Sequence, residues 1–182
     1  MKTMNKAFTL VELVVVCFVV SLLTGIIFVD YGKNSKAFAL ERVAQRLAQD
    51  LRRTQEMSMV GLTGDADTNA YGVYFDKTGG NNDKYIIYRN NNANKPYDSV
   101  SPADTIKETI TLEHGIKIFD IQDNSSSIDN VSISFVPPDP INYIESNPSG
   151  HEAGIIVYVE DDPTQKREVK INSTGRIDVV TP

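Results

Sequence analysis

One acidic side chain lies inside an otherwise uncharged apolar stretch near the start of the chain. Residues 8–29 number 22, and Glu12 alone among them carries a charge. As a helix this stretch is about 33 Å long, enough to cross the hydrocarbon core of a bilayer. An ionisable residue in a membrane span costs free energy unless it finds a partner, so Glu12 marks a candidate site.

Two partners suit the carboxylate of Glu12. If the chain were cut between Ala7 and Phe8, the new amine, with an ordinary pKa of about 8, would be positively charged and could pair with it inside the low-dielectric layer. Alternatively, the segment is a plain anchor in which Glu12 extends to the lipid head groups.

A second candidate site has the spacing of a calcium-binding loop. Its candidate ligands are Asp65, Asp67, Asn69 and Asp76. Carboxylate and amide oxygens suit Ca²⁺, but Ala70 stands where an EF-hand loop has glycine, and Asp76 stands where glutamate is usual. We therefore favour a solvated acidic loop, here and at residues 160–162, and expect no metal and no cofactor.

Catalytic residues are hard to find in this sequence. The two histidines, His114 and His151, are far apart along the chain, and neither lies in a HExxH motif. Ser149 and Ser173 lack the G-x-S-x-G context of a nucleophilic serine. We expect that the protein is not an enzyme.

Charge and cysteine content narrow the possibilities further. The chain has 18 basic and 24 acidic side chains, a net charge of −6. An acidic chain without a lysine- or arginine-rich run is poorly suited to bind phosphates, so we expect no nucleic-acid partner. Cys17 is the only cysteine, so no disulfide can form within the chain.

Residues 6–13, Lys-Ala-Phe-Thr-Leu-Val-Glu-Leu, resemble the cleavage and methylation motif of type IV prepilins and type II secretion pseudopilins. The resemblance implies that prepilin peptidase removes residues 1–7 by cutting between Ala7 and Phe8, and that it methylates the amine of Phe8. It also implies that Glu12 helps to dock each subunit's helix onto other pilin or pseudopilin subunits in a filament. The chain departs from the family pattern at Ala7, where the family usually has glycine.

The element that positions these residues is a long helix. No proline occurs between residues 8 and 60, so one helix can run through the whole stretch, with Gly61 and Gly64 predicting its end. In its second part, apolar and small side chains recur at helical spacing, which predicts an amphipathic helix packed on a sheet. This stripe comprises Ala37, Leu40, Val43, Ala44, Leu47, Ala48, Leu51 and Thr54.

From residue 71 onward the pattern predicts strands. The predicted strands are residues 71–76, 84–89, 105–112, 116–121, 131–136, 155–160, 168–171 and 176–180, with hairpin loops at 78–83, 114–115 and 172–175. One helix followed by consecutive strands predicts an α+β, pilin-like fold. In this fold a long N-terminal helix, membrane-spanning in its first half and amphipathic in its second, packs on an antiparallel β-sheet domain.

The predicted divisions follow from these elements and from the resemblance. They are a leader peptide (1–7), a transmembrane and assembly helix (8–30), its amphipathic continuation (31–62) and an extracytoplasmic β-rich domain (63–182). The expected protein is a single-pass precursor in the inner membrane that then enters a filament. Many pilins close a C-terminal loop with a disulfide, which this chain with its single cysteine cannot form. Within the family, this difference and the β-rich domain favour a minor pilin or pseudopilin.

Three other functions stay open. The chain could be a minor pilin at a filament tip that binds DNA or a surface ligand, although its acidic balance speaks against DNA. It could be a membrane-tethered domain that never polymerises. Finally, a small-x-small pattern at residues 37–39 would suit signal-peptide cleavage and release of a soluble domain, but the apolar stretch is longer than a signal peptide has and contains an acid.

Overall fold

The structure, a computed structural model, describes residues 9–60, 70–91, 96–99, 104–136, 142–144 and 152–182, with side chains for all of these except residues 27–34, 142 and 143. It divides into two compact units, Met1–Ala37 and Phe38–Pro182. The helix α1 (Leu10–Val60) contributes residues to each unit.

The helix has the extent that the sequence predicted over the described residues, and it ends at Val60. Gly61 and Gly64, the predicted stop, lie outside the described residues. Within the described part of the chain, no helix combines the length and the apolarity that crossing a membrane requires. The predicted membrane span over residues 8–29 is therefore not confirmed.

The second part of α1 is amphipathic as predicted. Seven members of the predicted stripe are at most 3% exposed: Leu40, Val43, Ala44, Leu47, Ala48, Leu51 and Thr54. Ala37, also predicted for the stripe, is exposed, because burial along this helix begins only at Ala39 and Leu40.

Ten strands follow the helix. They are β1 (Ala70–Asp76), β2 (Lys84–Asn90), β3 (Thr105–Thr111), β4 (Ile116–Asp123), β5 (Ser126–Ile128), β6 (Asn130–Phe135), β7 (Asn142–Ile144), β8 (Glu152–Val159), β9 (Asp162–Asn172) and β10 (Ile177–Val180). All eight predicted strands are present. The sequence missed β5 and β7, which have only three residues each, and placed the start of β9 six residues late.

The strands form two antiparallel sheets where the sequence predicted one. Sheet A has the order β3-β2-β1-β6-β7, and sheet B has the order β10-β9-β8-β4-β5. The sequence missed the first part of β9 because its residues are polar. Pairing with β8, as in Val157 with Arg167 and Tyr158 with Lys166, holds them in an extended strand. The antiparallel, α+β character of the prediction is confirmed.

The core of the second unit joins α1 to each sheet. Leu47 and Leu51 belong to one apolar cluster with Phe75 of sheet A and Val157 of sheet B. Polar contacts tie the same helix to each sheet. The hydroxyl of Ser58 donates to the carbonyl of Phe135 (2.5 Å) in sheet A, and Nη2 of Arg52 donates to the carbonyl of Ile177 (3.1 Å) in sheet B. The amphipathic stripe therefore serves as the shared packing surface of two sheets.

Candidate functional site

Thr9 and Glu12 form a reciprocal cap at the start of α1. The backbone N–H of Glu12 donates to Oγ1 of Thr9 (3.3 Å), and the backbone N–H of Thr9 donates to Oε2 of Glu12 (3.4 Å). The carbonyl of Thr9 accepts the first helical hydrogen bond, from the N–H of Leu13 (3.2 Å). Each side chain thus satisfies a backbone donor that the first turn of a helix leaves unpaired, which is the capping-box arrangement.

Sequence reasoning missed this cap, although its signal was present. Thr-x-x-Glu directly before an apolar run is the sequence pattern of a capping box. The Thr9 hydroxyl also donates to Oε2 of Glu12 (3.4 Å), so the carboxylate is held at the end of the helix. An acid in this position also interacts favourably with the helix dipole. Glu12 therefore has a local role that needs no second chain.

Beyond the cap, the helix presents an apolar surface. The side chains of residues 10–26 are all exposed within the first unit, and Leu10, Phe18 and Ile26 reach 79%, 65% and 58%. The hydroxyls in this stretch are satisfied by the helix itself: Ser21 donates to the carbonyl of Cys17 and Thr24 to that of Val20, each at 2.7 Å. A continuous apolar surface of this size is typical of a segment that contacts a membrane or other proteins.

The same segment matches a known motif. Residues 2–28 match the family model described as the prokaryotic N-terminal methylation motif. The chain carries the signature of type IV prepilin-like proteins. This confirms the resemblance that residues 6–13 indicated. No curated protein and no solved structure is significantly similar to the chain.

Residues 2–8 of the matched motif lie outside the described residues. Ala7 and Phe8, the predicted cleavage and methylation site, are among them. Cleavage, methylation and the pairing of Glu12 with the Phe8 amine therefore stay predictions.

The predicted calcium loop is represented only by its last candidate ligand. Asp65, Asp67 and Asn69 lie outside the described residues. Oδ1 of Asp76 accepts hydrogen bonds from the backbone and hydroxyl of Thr78 (2.7 and 2.6 Å), and Oδ2 accepts one from the side-chain amide of Asn81 (2.9 Å). Burial by itself raises the pKa of Asp76. The hydrogen bonds lower the pKa by a larger amount, so that it lies below its usual range. Asp76 thus organises the loop between β1 and β2.

Other candidate ligands and bases are also placed. Glu160, in the turn between β8 and β9, pairs with Lys117 of β4. The carboxylate of Asp162, the first residue of β9, accepts hydrogen bonds from Thr164 and Gln165. His114 is exposed in the β3–β4 turn, and His151 lies outside the described residues. Within the described part of the chain, no three acidic, histidine or cysteine side chains come together to hold a metal ion.

A polar cluster that the sequence did not predict joins the two sheets. Nζ of Lys77 donates to Oδ1 of Asp120 and to Oγ of Ser127, each at 2.8 Å, and Oγ of Ser127 donates to the same Oδ1 at 2.6 Å. Lys77 follows β1 of sheet A, whereas Asp120 and Ser127 belong to β4 and β5 of sheet B. Because Lys77 and Ser127 both donate to the same carboxylate oxygen of Asp120, the cluster is a structural tie between the sheets.

A second unpredicted cluster covers the face of sheet A that points away from α1. The ring of Tyr88 lies across Gly72, and its hydroxyl is 2.6 Å from Oγ of Ser132 and 2.8 Å from Oγ of Ser134. A Cβ at residue 72 would come within 2.5 Å of this ring, so only glycine fits there. Tyr97 packs on Tyr88 with ring centroids 5.0 Å apart. These polar groups are mutually satisfied in the interior, which indicates packing of the β-rich domain and not a ligand site.

Proposed function

We propose that the chain is a structural subunit, a minor pilin or pseudopilin, of a type IV pilus or a type II secretion-like filament. The observation that carries this proposal is the methylation motif at residues 2–28, which includes the cap of α1 and the exposed apolar first part of this helix. Processing would cut between Ala7 and Phe8 and methylate Phe8.

The precursor in this proposal is associated with the inner membrane through residues 8–29, with the β-rich domain outside the cytoplasm. The large apolar side chains between Leu10 and Ile26 are exposed on this helix, so they need a cover of lipid or other helices. The partners that satisfy this requirement are the membrane before assembly and other pilin or pseudopilin subunits after it. Prepilin peptidase is the expected processing partner.

The proposed role is mechanical and not enzymatic. The contact between Ser127 and Lys77 is part of an ion-paired tie with Asp120. The carboxylates of Asp76, Asp120 and Asp162 each accept hydrogen bonds from neighbouring side chains or backbone groups. No cofactor and no nucleic acid enter the proposal.

The experiment that tests this proposal measures the intact mass and N-terminal sequence of the chain from membranes, with active or with inactive prepilin peptidase. With the active peptidase we expect a chain that begins at methylated Phe8, and with the inactive one a chain that retains residues 1–7. Ala7→Gly, which restores the residue usual in the family, is the matched variant and should be processed at least as completely.

Two other results would refute the proposal. Retention of residues 1–7 beside an authentic prepilin that is cut in the same cells would indicate a tethered domain that does not polymerise. A chain that begins near Leu40 would indicate a secreted soluble domain.

A further inference from the structure

Strand β3 is one of the two outer strands of sheet A. Among the described strands at the ends of the two sheets, β5 and β7 have three residues and β10 has four, whereas β3 (Thr105–Thr111) has seven. A long outer strand presents a row of unpaired backbone groups that can pair with another chain. The edge of β3 is therefore the place where this domain is most at risk of joining to a second copy through its sheet.

The composition of β3 increases this risk. Five of its seven residues are threonine or isoleucine, which favour extended structure, and Ile106 is 51% exposed. Six of the seven side chains are exposed or half-exposed. A strand of this kind, if uncharged, resembles the segments that pair edge to edge and aggregate.

Lys107 interrupts the strand. Ile87 pairs with Glu108 and Tyr88 pairs with Ile106, so Lys107 is the extra residue of a bulge without a partner on β2. Its side chain is exposed and forms no ion pair within the described residues. Bulges and lysines on edge strands are devices by which proteins prevent edge-to-edge pairing.

The neighbouring acid does not neutralise Lys107. Oε2 of Glu108 accepts a hydrogen bond from Nη1 of Arg53 (3.0 Å), so that its charge is drawn towards α1. Lys107 lies next to Glu108, the middle residue of β3. When the β3 edges of two copies meet in antiparallel fashion about this middle, the two lysines are diagonal neighbours across the strands, within reach of long side chains, and their like charges repel each other. We propose that Lys107 prevents the β3 edge from pairing with the β3 edge of a second copy.

The test measures cross-linking of the full chain in detergent at a single reporter cysteine. Cys17→Ser removes the native cysteine. Thr109→Cys then reports on the β3 edge, and Ser126→Cys reports on β5, an outer strand of sheet B. A short bismaleimide cross-links two copies whose reporters are close. Association through the apolar helix is the same in every variant, so the dimer yield that it causes is the baseline of the measurement.

We expect little dimer at Thr109→Cys with Lys107 present, and a roughly fivefold increase when Lys107→Thr removes the charge repulsion. Lys84→Thr, which removes one lysine from the inner strand β2, should leave the yield unchanged. The Ser126→Cys reporter should not respond to Lys107→Thr.

A charge reversal tests the mechanism directly. Lys107→Glu alone should stay as weakly cross-linked as the parent, because two glutamates also repel each other. A mixture of Lys107→Glu and parent chains of different tag length should yield the mixed dimer, because the opposed charges now attract.

Three results would overturn the proposal. The dimer yield at Thr109→Cys could be unchanged by Lys107→Thr. The yield could be as high in the parent as in the variant, in which case β3 would pair with a second copy even when Lys107 is present. It could rise equally at Ser126→Cys, in which case the change would be general aggregation.

Discussion

At the scale of single residues, the carboxylate of Glu12 accepts hydrogen bonds from the backbone and the hydroxyl of Thr9. This cap explains why an acid is favourable at the third position of the helix even in an isolated chain. The proposed function assigns to the same carboxylate a charge pairing with the processed amine of Phe8. The cap needs hydrogen-bond acceptors, whereas the pairing needs a negative charge.

Two substitutions separate these roles. Glu12→Ala removes the charge and the carboxylate half of the cap, whereas Glu12→Gln removes only the charge, because glutamine also serves in a capping box. We expect both variants to enter the membrane and both to be incorporated poorly into filaments, since an amide cannot neutralise an amine. The measurement is the fraction of the chain in sheared filaments, by immunoblot.

Thr9→Val is the matched control for Glu12, since it removes the hydroxyl of the cap and leaves the carboxylate charge in place. It should assemble better than either Glu12 variant. Normal incorporation of Glu12→Gln would refute the charge pairing and leave the cap as the role of Glu12.

At the scale of elements, the tie of Lys77, Asp120 and Ser127 connects the end of β1 to β4 and β5. The side chains of Lys77 and Asp120 are only 20% and 17% exposed, so water screens their interaction less than that of a surface pair. Burial by itself raises the pKa of Asp120. The hydrogen bonds from Lys77 and Ser127 lower the pKa by a larger amount, so that it lies below the ordinary value of 3.8.

This lowered pKa predicts a pH-dependent stability. A carboxyl whose pKa is lower in the folded state stabilises it fully above the unfolded pKa, and this contribution is lost as the pH falls through the folded value. Asp120→Asn should therefore lower the free energy of unfolding by about 1–2 kcal/mol at pH 7, and the difference should shrink as the pH falls below 3.8. Urea unfolding at a series of pH values measures this difference.

Asp178→Asn is the control for Asp120. It removes the same charge from the exposed pair of Asp178 with Arg176, whose side chains are 43% and 74% exposed, and should change stability little at any pH. An Asp120→Asn variant as stable as the parent at pH 7 would contradict the role of the tie.

At the scale of the whole molecule, the described apolar core lies within the second unit. Among the residues whose side chains the structure describes, its buried members run from Leu40 to Ile177, and none precedes the division at Ala37. Residues 10–26 of the first unit are exposed and add apolar surface. We therefore expect the second unit to fold without residues 1–37.

We expect a fragment of residues 38–182 to fold alone, with cooperative thermal unfolding and a Tm within a few degrees of that of the full chain in detergent. Circular dichroism and dispersed amide resonances measure this. A fragment of residues 52–182 lacks the buried stripe from Leu40 to Leu51 and should not fold, because two sheets would lose their shared packing surface. A disordered 38–182 fragment would contradict the division.

The sequence alone determined the features that local rules control. The motif at residues 6–13 is readable because a linear pattern carries it, and the helix from Leu40 to Thr54 is readable because burial repeats with helical period. The eight longer strands were found because β-branched runs and turn residues mark them locally. The capping box of Thr9 and Glu12 was equally local and could have been found.

Tertiary structure decided what depends on contacts between distant residues. Nothing local to Lys77 indicates that Asp120 and Ser127, 43 and 50 residues further on, will surround its ammonium group. The division into two sheets was likewise hidden, because a strand's own residues do not specify its neighbour, and β5 and β7 exist only through pairing with β4 and β6. Local patterns fix which residues form helix or strand, whereas pairing and burial are set by the free energy of the packed whole.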